Sequence, residues 1–346
     1  GCFCMGKIGK CSIEFDNKPL ISASASVVGQ KEGEGPLGEY FDRVIDDPMA
    51  GQNTWEEAES EMQRQLVDEL LIKSGLQAKE VRYFFAGDLL GQLIATSFGI
   101  SGFEVPVFGL YGACSTMGEA LSLAAMTVSA GYADNVIAMT SSHFGSAEKQ
   151  FRFPLDYGNQ RPLCATWTVT GAGGVILSAS GESDICVSGI TTGRIVDYGI
   201  QDSFNMGAAM APAACDVIYN HLMDFERRPE DYDAIYTGDL GSVGQTILID
   251  LMDKRGFDIS KVHHDCGVEI YDAGTQDTHA GGSGCGCSAA TLSAQILRRI
   301  REGEYSRVLF VPTGALLSTI SFNEGKTVPG IAHAVVIEKI DRGGEK

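Results

Sequence analysis

Cys114 stands in Gly112-Ala113-Cys114-Ser115-Thr116, between an apolar run ending near Leu110 and a helix-forming run that opens at Met117. A cysteine at a strand-to-helix turn among small residues lets a ligand approach, and the amide-rich end of the helix favours a thiolate, a carboxylate or an oxyanion. The other role open to it is a buried structural thiol. Nucleophilic chemistry would also need a general base. His263, in His263-His264-Asp265-Cys266, reads from the sequence alone as a pocket wall or a satisfied core histidine. A further group lies in the polar and aromatic insertion 141–165. It holds the rings of Phe144, Phe151 and Phe153 and the polar or charged His143, Lys149, Arg152 and Arg161. Long stretches of this kind often serve as lids. The spacing of His263, His264, Cys266, Cys285 and Cys287 is not that of a zinc site, so no metal centre is expected. Cys2-Phe3-Cys4 reads as a terminal segment rather than a metal clip.

The elements that must position these residues come twice. Glu80 to Leu89 and Asp231 to Leu240 share an acidic lead, an apolar strand and Gly-Asp-Leu, so Asp88 and Asp239 fall at equivalent places. Gly112-Ala113-Cys114-Ser115-Thr116 and Cys285-Gly286-Cys287-Ser288-Ala289 then each open an apolar helix closed by a glycine, Gly131 or Gly303, and followed by a strand. The repeat is too long for a solenoid. Two α/β halves with a site between them are expected, residues 1–180 and 181–346. A helix from Thr54 to Gly75 carries a cap, an acidic first turn and an apolar stripe. Short, continuously apolar strands at 105–110, 136–140, 172–178, 308–312 and 334–338 suit sheets covered on both faces. The helix after Cys114 is apolar on most sides and belongs inside the layers.

Among 346 residues, 26 Lys and Arg face 45 Asp and Glu, a net charge of −19. That argues against nucleic acid as a partner and against direct attraction to anionic lipid. Neither a membrane-spanning run nor a signal peptide is legible, so a soluble protein is expected. Most of the ten cysteines lie in apolar or Gly/Ala-rich segments, which points to reduced thiols rather than disulfides.

These motifs resemble the thiolase-like superfamily, and Ala113-Cys114 with Gly131 resembles its chain-initiating ketoacyl synthases. The resemblance implies a five-layer αβαβα α/β fold built from two pseudo-duplicated halves, with Cys114 at the nucleophile position and His263 at that of the catalytic histidine. Ser288-Ala289-Ala290 resembles the segment after the catalytic asparagine, but Gly286 stands in the asparagine's place. One polar group of the reacting trio is therefore missing. Glu34-Gly35-Pro36-Leu37-Gly38, Ala86-Gly87-Asp88-Leu89-Leu90, Thr140-Ser141-Ser142-His143, Gln150-Phe151-Arg152, Met206-Gly207 and Ala280-Gly281-Gly282-Ser283-Gly284 are similar to the stage V sporulation protein AD family. That likeness implies a protein peripheral to the spore inner membrane, associated with other SpoVA membrane proteins, that binds dipicolinic acid in spore formation and germination. The superfamily likeness implies a homodimer. The ligand set expected is Cys114, Ser142, His143, Phe151, Arg152, Asp202, Met206, His263 and Gly282. No resident cofactor is expected. Calcium would enter as the dipicolinate chelate, with Asp88 or Asp202 as oxygen donors, although a strand-end Asp that caps loop amides is the alternative for Asp88. An acyltransferase using Cys114 and His263 is the competing reading.

Overall fold

The computed structural model describes residues 6–152 and 161–341. Cys2, Cys4 and Phe153 lie outside the described residues. The strands expected as short apolar runs pair into two sheets of identical plan. In one, the order is Val107–Gly109, Tyr83–Gly87, Asn135–Ser142, Gly171–Ser178, Leu20–Gly29; in the other it is His263–Asp265, Ala234–Thr237, Arg307–Val311, Ala334–Lys339, Ile185–Thr191. Counted along the chain, both read third, second, fourth, fifth, first. The fifth strand runs antiparallel to its neighbours in each sheet, and the others on its far side pair in parallel. The two sheets join where Cys186 pairs with Leu20.

Alternation along the strands divides the apolar side chains between layers. Phe84, Ile137 and Met139 point outward to Met62, Leu66 and Leu70 of the helix Trp55–Ser74. Phe85, Val136 and Ala138 point inward to a central core holding the helix Thr116–Ser129 and the helical run from Cys285. The second sheet repeats this: Ile235, Leu309 and Val311 face the helix Met206–Asp224, while Val308 and Phe310 face the centre. Helix, sheet, paired helices, sheet and helix make the five layers. Thr54 caps the first helix through Glu57 N–H at 3.2 Å, and Gly75 ends it at φ 70°. The helix from Cys285 passes through a π-helical stretch at Leu292–Leu297 before its arginine-rich end.

The insertion departs from the expectation of an irregular lid. Its first residues finish the strand Asn135–Ser142, and Phe144–Phe151 form a helix. His143 caps that helix: Nδ1 accepts from Gly145 N–H at 3.0 Å, and Nε2 lies 2.8 Å from the Pro48 carbonyl.

Candidate functional site

Cys114 is held at a strained elbow. Ala113, just before it, has φ 50°, and the turn is locked by Ser115 N–H to the Gly112 carbonyl at 3.0 Å and by Thr116 Oγ1 to the Ala113 carbonyl at 2.6 Å. A left-handed alanine costs roughly 1 kcal/mol. The elbow aims Cys114 at the strand-end acid of the other half. The Asp239 carboxylate lies against the Cys114 thiol and accepts hydrogen bonds from Thr313 Oγ1 at 2.8 Å and from Gly284 N–H at 3.0 Å. Burial pushes Asp239 up to about 7 against the pull of those donors, and burial followed by the Asp239 charge raises the Cys114 thiol well above its ordinary value. The helix end therefore does not yield a thiolate. Cys114 rests as a buried, neutral S–H donor.

A looser relation runs in the opposite sense. Cys285, at the matching elbow of the second half, feels Glu59 and Asp88 of the first, and its thiol donates to the Ser141 carbonyl at 2.9 Å. Asp88 caps Leu90 N–H at 2.7 Å and Thr96 N–H at 2.8 Å, the amide-capping role open to it from sequence, so its oxygens are not free for calcium.

Above Cys114 lies a cavity of about 290 Å³. Its walls are Leu89, Ala147, Phe151, Phe204, Met206 and Phe322, with Tyr111, Thr168, Ser203 and Ser283 adding hydroxyls. Among the described residues two charges line it: Arg152, whose guanidinium sits 5.4 Å from the Phe204 ring centroid, and Glu148, paired with Arg152 at 2.9 Å. Of the nine residues expected at the ligand, Cys114, Phe151, Arg152 and Met206 line this cavity.

The other five do not. Ser142 donates its hydroxyl to the Val169 carbonyl at 2.7 Å and accepts from Gly286 N–H at 3.1 Å. His143 spends both ring nitrogens on the helix cap and on Pro48, and burial lowers its pKa, so it is a neutral structural group. Asp202 is exposed and turns the chain by accepting from Phe204 N–H at 2.9 Å. Gly282 packs under Ile270, Val169 and Tyr271. His263 is buried, bonded to Thr237 at 3.0 Å and Gln245 at 3.3 Å, and pushed down to about 3 by burial. It is a satisfied core histidine rather than a base for Cys114. Among the described residues, no three His, Cys, Asp or Glu side chains converge as metal ligands.

Glu148, Phe204 and Phe322 escaped sequence reasoning. Only Glu148 left a signal, its position four residues before Arg152 on a helix.

The missing asparagine has a steric cause. A Cβ on Gly286 would lie 2.2 Å from the Gly171 carbonyl oxygen and 2.6 Å from Ser142 Oγ, so the strands leave no room for a side chain.

The family model for stage V sporulation protein AD matches residues 9–338. The chain belongs to that family. It is 41% identical to stage V sporulation protein AD of Bacillus subtilis (strain 168) over 331 residues, 96% of this chain and 97% of the relative. Solved structures of similar fold include 3-oxoacyl-[acyl-carrier-protein] synthase III from Aquifex aeolicus, at TM-score 0.55 and 14% identity over 93% of this chain and 99% of that one. A thiolase from Ascaris suum in complex with coenzyme A is similar at TM-score 0.56 and 13% identity, over 93% and 100% of the two chains. The family is a sporulation family, and the fold is thiolase-like.

Proposed function

We propose that this protein is a non-catalytic binder of dipicolinate, whose Cys114 cavity holds the ligand as the developing spore takes it up and as the germinating spore releases it. One observation carries the reading: a cavity walled by Phe151, Phe204 and Phe322 contains a single guanidinium, Arg152, positioned over a ring. Aromatic walls suit the pyridine plane, and a guanidinium suits its carboxylate. Glu148 in the wall and Asp239 behind Cys114 oppose a bare dianion, so the neutral calcium chelate suits the charges better, with calcium held chiefly by the ligand. The family resemblance supplies the choice of dipicolinate.

Isothermal calorimetry with dipicolinate, with and without calcium, tests this. Arg152→Ala should weaken binding about tenfold or more, the worth of a charge-assisted hydrogen bond. Binding undiminished in a folded Cys114→Trp variant would place the ligand elsewhere.

A second reading, acyl transfer from Cys114, draws support from Asp239, which titrates near neutrality and contacts the thiol as a base would. Intact mass after incubation with acyl-CoA decides it: an adduct absent from Cys114→Ala would favour transfer.

Association with the spore inner membrane, in this reading, runs through other SpoVA proteins. No helix among the described residues is long and apolar enough to cross a membrane, and the acidic balance disfavours anionic lipid. A homodimer belongs to the same proposal. Among the described residues the edge strand Val107–Gly109 pairs on one side only and exposes Val107 (46%) and Phe108 (52%), an apolar edge that a second copy would cover.

A further inference from the structure

A groove of about 740 Å³ lies beside the Cys114 cavity, and Glu148 lines both. The helix Phe144–Phe151 separates them. Ala147, Phe151 and Arg152 face the cavity, while Phe144 and Gly145 face the groove. The insertion's rings and charges, grouped together by sequence, are thus shared out between two places.

Both tryptophans of the protein line this groove and neither lines the cavity. Trp55 fits because Gly145 has no side chain: a Cβ there would sit 2.5 Å from the indole. Phe144 stacks on Trp167 with centroids 4.1 Å apart. Lys31 and Arg161 lie over the Trp167 ring at 4.4 and 4.9 Å. The Arg161 side chain is only 13% exposed, yet its ion-pair partner Asp277 is 75% exposed. Hydrogen bonds to the Asp277 carbonyl at 3.0 Å and to its carboxylate at 2.7 Å use two of the guanidinium's five N–H donors. A largely buried cation beside half-buried aromatic walls, neutralised by a largely exposed carboxylate that also pairs with His279 at 3.2 Å, is a place where a ligand carboxylate can compete with the protein's own.

We infer that the groove bounded by Trp55, Phe144, Trp167 and Arg161 is a second binding site, for a planar aromatic carboxylate, walled off from the Cys114 cavity by Glu148. Recognition combines ring stacking with a guanidinium–carboxylate pair, and it does not depend on what the cavity holds.

The tryptophans report this site directly. Benzoate, titrated into the full chain with excitation at the red edge of tryptophan absorption, should quench fluorescence saturably, and cyclohexanecarboxylate, of equal charge but not planar, should do so more weakly. Arg161→Gln should weaken benzoate about tenfold or more. Asp277→Asn, an exposed change that removes the competing charge while keeping the backbone contact to Arg161, should tighten it. Ser203→Phe, which narrows the mouth of the cavity, should leave the quench unchanged. No saturable quench, equal response to both acids, loss of the quench in Ser203→Phe, or failure of Asp277→Asn to tighten binding would each overturn the inference.

Discussion

At position 286 the backbone of one half lies so close to that of the other that hydrogen is the only substituent with room. Asparagine there meets a carbonyl oxygen and a hydroxyl that are both already engaged, so Gly286→Asn should destabilise the protein by about 3 kcal/mol or more in urea denaturation, and it should not gain an acyl adduct. Asp239 gives a titration prediction. Its folded value near 7 lies above the ordinary 3.8, so the folded chain keeps a proton that the unfolded chain releases. Its contribution to stability is full below about 3.8 and is lost as pH rises through 7. Denaturation at a series of pH values should show that decline diminished in Asp239→Asn, and an unchanged slope would contradict it. Sequence showed that a polar residue was missing at Gly286 but not that sterics forbid it. It left His263 open between a base and a core histidine, because the order of residues does not show that His263 opens a strand and bonds sideways to Thr237 of its neighbour. The acid that does face it, Asp239, was visible only as half of a repeat.

Among the elements, the elbow before Cys114 carries the clearest strain. Glycine adopts φ 50° freely and a β-branched residue does so poorly, so Ala113→Val should cost about 2 kcal/mol or more, while Ala113→Gly should change stability little. Thermal melts of the two variants in parallel would check this. The helix Trp55–Ser74 was legible because threonine opens it, glycine closes it and the stripe between is long. The helix Phe144–Phe151 was not: it is two turns long, half its residues are polar, and its cap is a histidine ring nitrogen rather than a common capping side chain. Without that helix, nothing in the order of residues could divide Phe144 and Arg161 from Phe151 and Arg152.

For the whole molecule, the layered plan was the most legible feature, since repeated strand and helix signals in fixed order admit few ways to bury their apolar faces. What sequence could not supply was the meeting of the halves, which depends on contacts between residues far apart in the chain, such as Thr140 Oγ1 with the Cys285 carbonyl at 2.9 Å. The exposed edge strand leads to a prediction at this scale. Sedimentation velocity should show a dimer, and Val107→Lys, which sets a charge on the apolar edge, should shift it to monomer with the fold unchanged. A wild-type monomer at micromolar concentration would refute the shared edge.

Each elbow is completed by a group from the opposite half, and the two completions have diverged: Cys114 faces Asp239 and lines a cavity, whereas Cys285 is sealed against the Ser141 carbonyl. A doubled architecture of this kind carries a spare. One member of the pair can settle into inert filler and take on the task of cementing the seam, leaving its twin free to change cargo without loosening the frame.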